Sequence, residues 1–240
     1  MTIQRIGTAD NKEEWLEQRK DYLTASSIYA WRGEGCADPK NKWYFDDSNR
    51  QAIIAEKFHG YVKEFTPYAQ VSMEHGSYDE ENIIAKTGQL LGCVVEPDNS
   101  MFVNDRWPHL AATIDAFIYA PTIENRKAFC QDELQAEAVR QRLGDLPEGD
   151  ATILEIKKSV SVGWARKQVP EYYIAQVQTQ LTICNLDFGV ISAECLCKHP
   201  KEKWRMFWDL RPTIIERDPH WETVLDQCNE EFARCKEENQ

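Results

Sequence analysis

The sequence predicts an α+β fold in which helices flank a mixed central β-sheet. Two apolar segments rich in strand-forming residues, 110–119 and 151–160, are predicted to be strands of this sheet. A helical segment at 170–184 is followed by another apolar strand at 188–197, which indicates a helix that crosses over between strands. Helical patterns also dominate residues 11–87 and the C-terminal region, so the sheet is expected in the middle of the chain.

The region before the sheet is predicted to be helical. A first helix is predicted at 11–22, and Thr24 or Ser26 can cap a second, short helix that runs to about Trp31. Further helices are predicted at 43–60 and at 73–87, and Gly88 is expected to stop the latter. The candidate core positions of the third helix are Trp43, Ala52, Ile53 and Phe58.

The remaining strands are expected to be short. Leu90–Val95 and Met101–Val103 are predicted to be strands separated by a Pro-Asp-Asn turn, and 203–210 is predicted to be the antiparallel neighbour of 188–197. Asp218-Pro219 is predicted to begin a last helix, because proline favours the first helical position. The apolar stripe of this helix is Trp221, Val224, Leu225, Cys228, Phe232 and Cys235.

Length and composition allow one domain with an insertion. A chain of 240 residues can build one sizeable core, and we predict a single domain over residues 1–240 with a polar insertion at 121–150. No apolar run approaches the roughly 18 residues that a membrane span requires. The polar N-terminus does not resemble a signal peptide. We therefore expect a soluble cytoplasmic protein with no membrane partner.

The formal net charge of −12 argues, on its own, against a nucleic-acid ligand, because phosphate binding needs local positive charge. An acidic enzyme can nevertheless collect its basic residues in one cleft, while its negative exterior weakens non-specific binding to DNA. The basic residues do cluster, at Arg19–Lys20, Lys157–Lys158, Arg166–Lys167 and from Lys198 to Arg205.

The eight cysteines do not predict a disulfide framework or a zinc site. The expected intracellular location disfavours disulfides. No C-x-x-C pair is present, and the five histidines are scattered along the chain. Most of the cysteines are therefore predicted to be small buried apolar side chains.

The main functional candidates lie on the two predicted strands. Side chains alternate along a strand, so Glu155 and Lys157 share one face, while Leu154 and Ile156 share the other. On its own, this pair could equally be a solvent-facing salt bridge of an edge strand. Asp115 favours a site, because an aspartate inside an apolar strand runs against strand propensity. If the strands pair, Asp115, Glu155 and the Ile156 carbonyl can converge on one Mg²⁺, which prefers oxygen ligands.

Two predicted helices add polar side chains. Helical spacing places Glu80 on the side of Ile83 and Ile84, where an acid could help to hold a second metal, or could mark the border of a charged face. Gln176 and Gln180 lie on or beside the apolar stripe of their helix, where an amide needs a partner. A water, a metal-site carboxylate, a DNA phosphate or an ordinary contact at the core edge would each serve.

An anion site is a further candidate near the N-terminus. The hydroxyl groups of Thr24 and Ser26 and the free N–H groups at a helix start can bind an anion, and nearby Arg19 would strengthen the binding. The alternative is an ordinary helix N-cap.

Taken in this order, the segments resemble the lambda-exonuclease family of phage recombination nucleases, also called YqaJ-type, which has the PD-(D/E)XK nuclease fold. The resemblance covers most of the chain, and each motif is weak alone. The matching segments are Trp15-x-x-x-Arg19 with Leu23-Thr24-Ala25-Ser26, Gly76-x-x-x-Glu80, Asp115, Glu155-Ile156-Lys157 and Tyr173-x-x-Gln176-Val177-Gln178.

The resemblance implies a Mg²⁺-dependent exonuclease, with Mn²⁺ as a substitute, that digests linear duplex DNA from 5′ to 3′ and leaves a 3′ single strand. It implies that Asp115, Glu155, the Ile156 carbonyl and Glu80 hold two metals, and that Lys157 and Gln176 act on the attacking water or the phosphate. Arg19, Ser26 and Thr24 would bind the 5′-phosphate. The family also implies a trimeric ring and a single-strand annealing protein as a partner.

The sequence departs from the family pattern in two places. The family usually has S-P-D-G around the metal aspartate, whereas this chain has Thr113-Ile114-Asp115-Ala116. The segment 121–150 is longer than the family's short hairpin. In addition, two lysines follow one another at 157 and 158, and strand alternation selects Lys157 as the inward one.

Three other functions remain open at this point. An iron–sulfur nuclease of the same fold would use some of the cysteines, although clustered C-x-x-C spacing is lacking. A protein that binds DNA ends or interferes with the host could keep the fold without activity. A restriction-type endonuclease would cut closed circular DNA.

Overall fold

The structure is a computed structural model that describes residues 2–8, 12–33, 47–61, 67–122, 133–159, 169–198 and 206–239. Within these residues, nine strands form a four-stranded sheet with the order β1-β4-β5-β2 and a five-stranded sheet with the order β3-β6-β7-β8-β9. The strands are β1 (Ile3–Thr8), β2 (Leu23–Thr24), β3 (Cys93–Pro97), β4 (Ser100–Asn104), β5 (Leu110–Thr113), β6 (Ala116–Pro121), β7 (Ala151–Ser159), β8 (Phe188–Lys198) and β9 (Met206–Glu216).

Helices flank both faces of the larger sheet, as predicted. They are α1 (Lys12–Lys20), α2 (Ile28–Trp31), α3 (Asp47–Phe58), α4 (Pro67–Leu91), α5 (Glu133–Gly144), α6 (Glu171–Cys184) and α7 (Trp221–Glu238), and a 3₁₀ turn (Ala25–Ser27) precedes α2. The sheet is mixed, because β7 and β8 are parallel while β6–β7 and β8–β9 are antiparallel. Helix α6 lies between β7 and β8 in the chain and is the predicted crossover.

The core has two main layers, one on each side of the larger sheet. On one side, residues of α2, α6 and α7, including Val177 and Phe232, pack with Ile153 and Ile191. On the other side, residues of α4 and α5 pack with Leu154 and Ile156. Successive residues of β7 therefore contact opposite layers, as strand alternation requires. The predicted stripe of the last helix is confirmed, since Val224, Leu225, Cys228 and Phe232 are buried.

The prediction of one strand over 110–119 was wrong. The chain forms β5 in one sheet and β6 in the other, and it breaks at Ile114 and Asp115. Hydrogen bonds from the preceding turn hold the break: the Asp98 amide donates to the Asp115 carbonyl and the Asn99 amide donates to the Ile114 carbonyl, each at 3.0 Å. Asp115 thus lies between two sheets rather than within a strand.

The predicted stop of α4 at Gly88 was also wrong. The helix continues to Leu91, and Gly92 with φ of 66° follows it in the left-handed conformation that commonly ends helices. Gly88 serves a packing role instead, because a Cβ atom there would lie 3.0 Å from the Cys93 carbonyl oxygen. The strand predicted from Leu90 accordingly begins only at Cys93.

Other differences are smaller. Strand β1 was not predicted, and β9 extends to Glu216, well beyond the predicted 210. In α3, Ile53 is buried as predicted but Ala52 is exposed, and the predicted core residue Trp43 lies outside the described residues.

The region 121–150 contains α5 between β6 and β7 in the chain, and Ala136, Val139 and Leu143 of this helix are buried. One domain with an insertion at 121–150 remains a prediction. Among the described residues, no helix combines the length and the apolar character needed to span a membrane. Within the same residues, no disulfide is formed by Cys93, Cys184, Cys195, Cys228 or Cys235.

Candidate active site

The break between β5 and β6 brings Asp115 beside β7. Strands β6 and β7 pair only as far as Ala116 and Leu154, so the edge of β7 beyond Leu154 is open to the Asp115 side chain. Asp115 Oδ2 accepts a hydrogen bond of 2.8 Å from the Ile156 amide. Because the N–H and C=O groups of one strand residue point to the same edge, the Ile156 carbonyl also points toward Asp115.

Glu155 is held in a fixed orientation by two amides of α6. Its side chain is 1% exposed, and its two carboxylate oxygens each accept a hydrogen bond of 2.6 Å, Oε1 from Gln176 and Oε2 from Gln180. Lys157 Nζ also donates to Oε1 of Glu155. Buried carboxylates are tolerated when they are paired and hydrogen-bonded in this way.

The two neighbouring lysines of β7 point to opposite faces. Lys157 Nζ contacts Glu155 and lies 5.0 Å from the centre of the Tyr173 ring, on the α6 side. Lys158 Nζ contacts Asp79 on the α4 side. The structure therefore places Lys157, and not Lys158, beside the carboxylates, as strand alternation predicts.

Glu80 joins the same group from α4, and the three acids crowd one another. Burial, followed by the neighbouring charge of Glu155, raises the pKa of Glu80. The same two causes raise the pKa of Asp115 well above its ordinary value. Burial alone would lower the pKa of Lys157, but the charges of Glu155 and Asp115 outweigh burial and raise it. A bound cation would favour the charged forms of Glu80 and Asp115, which burial and the neighbouring carboxylate disfavour.

Arg19, Thr24 and Ser26 form the polar end of the site. Arg19 Nη2 lies 3.5 Å from Thr24 Oγ1, and the Thr24 hydroxyl lies 3.3 Å from the Ser26 hydroxyl. Thr24 precedes the 3₁₀ turn but makes no side-chain cap, so the alternative of an ordinary N-cap is not what the structure shows. The Arg19 guanidinium stacks 4.3 Å from the centre of the Trp15 ring, and burial lowers the pKa of Arg19.

One cavity of about 220 Å³ connects all of these groups. Every side chain predicted for the site lines it, so the acidic cluster and the anion-binding candidates face a common space. The lining residues are Trp15, Arg19, Thr24, Ala25, Ser26, Glu80, Asn99, Thr113, Asp115, Glu155, Lys157 and Gln176.

Two residues that line this cavity, Asn99 and Thr113, had no predicted place in the site. Gln180 was predicted, with Gln176, to need a partner for its amide, and its partner is the Glu155 carboxylate. Asn99 has φ of 59°, a left-handed conformation that asparagine tolerates better than most residues. The sequence carried one usable signal, since Gln180 lies four residues after Gln176 and therefore on the same helix face.

The donor groups fit a hydrated divalent metal rather than a closed protein cage. Among the described residues, no group of three or more His, Cys, Asp and Glu side chains is arranged as a metal-binding cluster. Mg²⁺ is usually bound by one or two carboxylates, with waters and substrate phosphates completing its shell. Asp115, Glu155 and the Ile156 carbonyl supply this kind of partial set. Burial first, and the charge of Glu155 second, raise the pKa of Asp115, and a bound cation would offset both effects.

Gln180→Leu is expected to lower kcat for the reaction at this site about 10–100-fold with little change in KM, because the orientation of Glu155 would be lost. Gln180 is 1% exposed and its Nε2 bridges Glu155 Oε2 and, at 2.8 Å, the Thr113 carbonyl oxygen. The matched control is Gln178→Leu, which removes a buried amide of the same helix that bonds to the main chain of Glu216 and Asp218. Equal rates for the two variants would contradict a positioning role for Gln180.

The fold and the site together define the PD-(D/E)XK class of nuclease folds, with an aspartate and an E-x-K strand at one end of a mixed sheet. Within that class, the chain belongs to the YqaJ-like viral recombinase domain family, whose profile matches residues 14–187. The predicted family and fold class are therefore confirmed.

Solved structures show the same fold. An alkaline exonuclease, LHK-Exo from Laribacter hongkongensis, has a TM-score of 0.61 at 17% identity, with 95% of this chain and 94% of that chain covered. The same enzyme in complex with dAMP has a TM-score of 0.58 at 16% identity, with the same coverage. A phage-related exonuclease from Haemophilus somnus 129PT has a TM-score of 0.52 at 16% identity, covering 87% of this chain and 90% of that chain. A search of curated proteins gave no match.

Proposed function

We propose that this protein is a Mg²⁺-dependent exonuclease that digests linear double-stranded DNA from 5′ to 3′ and leaves 3′ single strands for phage-type recombination. One observation carries the proposal: a single cavity joins the carboxylates of Asp115 and Glu155 to the cationic and hydroxyl groups of Arg19, Thr24 and Ser26. Membership of a viral recombinase family supports a DNA exonuclease, and the similar folds belong to exonucleases, one of them solved with a mononucleotide.

In this proposal, Asp115, Glu155 and the Ile156 carbonyl hold one Mg²⁺, or Mn²⁺ in its place, and Glu80 helps to hold a second. Bound metals would stabilise the attacking and leaving oxygens of the phosphodiester. Gln176 and Gln180 keep Glu155 in its ligating orientation through the two amide hydrogen bonds described above.

Lys157 is the proposed group that positions or deprotonates the attacking water. Its ammonium lies beside Glu155 and within the common cavity, so it faces the place where a phosphodiester would sit. Its raised pKa favours the protonated form. We therefore assign Lys157 the role of positioning the water and stabilising charge, in preference to removing a proton. Gln176, which also lines the cavity, would orient the water or the scissile phosphate.

The proposed direction of digestion depends on the end of the cavity formed by Arg19, Thr24 and Ser26. A terminal 5′-phosphate and the first internucleotide bond are separated by one nucleoside, so an anion pocket beside the carboxylates would place that bond at the metals. Arg19 would make charge-assisted hydrogen bonds to the terminal phosphate, and the hydroxyls of Thr24 and Ser26 would complete the pocket. A duplex end would then be required for cutting.

Two proposed partners rest on the family resemblance. These are further copies of the chain, arranged as a trimeric ring around DNA, and a single-strand annealing protein that would receive the 3′ strand.

Incubation of linear and closed circular duplex with Mg²⁺ tests the proposed function. We expect linear DNA to be digested to a 3′ single strand, circular DNA to stay intact, and a chelator to stop the reaction. Cutting of circular DNA would instead indicate an endonuclease. Binding of DNA ends without digestion in Mg²⁺ or Mn²⁺ would indicate an inactive end-binding protein.

A further inference from the structure

Helix α4 contacts the end of β7 with two adjacent acids. Glu80 lines the cavity, whereas Asp79 forms an ion pair with Lys158. Lys158 directly follows Lys157 on β7, so adjacent residues of the helix meet adjacent residues of the strand. The ion pair is largely shielded from solvent, with side-chain exposures of 20% for Asp79 and 24% for Lys158.

Lys158 has defined contacts on the face of the sheet that packs against α4. Its Nζ lies 3.9 Å from the buried Glu194 carboxylate of β8 and 4.6 Å from the centre of the Trp208 ring. Lys86, two turns after Asp79 on α4, also pairs with Glu194 at 2.5 Å. Among the described side chains, these two ion pairs join α4 to the sheet, and the one made by Lys158 adjoins Glu80.

We propose that Lys158 is a positioning residue whose ion pair with Asp79 fixes the turn of α4 that presents Glu80 to the metals. This inference rests on the proposed function. Without the Lys158 charge, this turn of α4 would lose its ion pair with β7, and Glu80 is already disfavoured by burial and by the neighbouring charge of Glu155. The turn would then move away from β7 and Glu80 would leave the site.

The variants are chosen to separate positioning from general stability. Lys158→Met and, independently, Asp79→Asn remove the ion pair, while Lys158→Arg keeps the charge. Lys86→Met is the matched control, because it removes the second ion pair of α4 with the sheet, made with Glu194 of β8 and about two helical turns away from Glu80.

Mn²⁺ binding by the protein without DNA, followed by electron paramagnetic resonance, is the decisive measurement. We expect Lys158→Met and Asp79→Asn to weaken one of the bound ions about 10–100-fold, as loss of a supporting residue typically does. Lys158→Arg and Lys86→Met should bind like the wild type. In a Glu80→Gln background, Lys158→Met should cause no further loss, because both changes act through one carboxylate.

The outcomes separate this inference from the proposed function. If the wild type binds Mn²⁺ and Lys158→Met binds it equally well, the positioning role is overturned and the proposed function stands. A further loss in the Glu80→Gln background also overturns it. If the wild type binds no Mn²⁺, the proposed metal site fails, and this inference fails with it.

Discussion

Asp115→Asn is expected to abolish Mg²⁺-dependent digestion of linear duplex, with a fall in kcat of at least about 1,000-fold. The same change should raise the stability of the metal-free protein. An asparagine side-chain oxygen can still accept the 2.8 Å hydrogen bond from the Ile156 amide, so the local structure is preserved. The lost charge is the one that burial and Glu155 make costly in the folded protein.

The pH dependence of stability gives this prediction a second readout. The folded-state pKa of Asp115 is raised above its ordinary value of 3.8, so the folded protein binds this proton more tightly than the unfolded chain does. The stability contributed by Asp115 is present below the unfolded pKa and is lost as pH rises through the folded pKa. In chelator, the free energy of unfolding of the wild type should therefore fall as pH rises above about 4. Asp115→Asn should make this fall smaller.

Chemical unfolding in chelator and digestion in Mg²⁺ check both halves of the prediction. The control is Asp145→Asn, which removes an exposed charge after α5, where the Asp145 side chain is 69% exposed. This control should leave the rate and the pH dependence unchanged. An Asp115→Asn protein that digests DNA at the wild-type rate, or that unfolds more easily in chelator, would contradict the account.

Arg19→Gln is expected to remove about 10–100-fold of the preference for 5′-phosphorylated over 5′-hydroxyl ends. Arg19 is the cationic side chain beside the Thr24 and Ser26 hydroxyls, and stacking on the Trp15 ring fixes its direction. Loss of a charge-assisted bond should act on kcat/KM for phosphorylated ends and leave hydroxyl ends nearly unchanged.

The adjacent residue supplies the matched control for Arg19. Lys20 carries the same charge, but its side chain is 54% exposed and pairs with Glu17 outside the cavity. Lys20→Gln should keep the preference for phosphorylated ends. If kcat/KM ratios for the two kinds of end were the same in Arg19→Gln and in the wild type, Arg19 would not belong to the phosphate pocket.

Much of the fold and site could be predicted because their signals are local. Alternation along β7 separated Lys157 from Lys158, and helical spacing placed Glu80 and Gln176 on inward faces. The crossover helix α6 and the apolar stripe of α7 follow from periodicity as well. These patterns depend on residues close in sequence, so one chain is enough to reveal them.

The break at Ile114 and Asp115 could not be predicted in the same way. The apolar run on both sides of Asp115 favours one continuous strand, and neither proline nor glycine marks a bend there. The break depends on hydrogen bonds from Asp98 and Asn99, which come from another part of the chain. The second amide on Glu155, from Gln180, likewise became clear only when α6 was placed against β7.

A crystal structure grown with Mn²⁺ would test the central claim most directly, since the anomalous signal locates the ion. We predict an ion within ligand distance, about 2.0–2.2 Å, of a carboxylate oxygen of Asp115, a carboxylate oxygen of Glu155 and the carbonyl oxygen of Ile156. An ion bound elsewhere in the protein, with none between Asp115 and Glu155, would contradict the account.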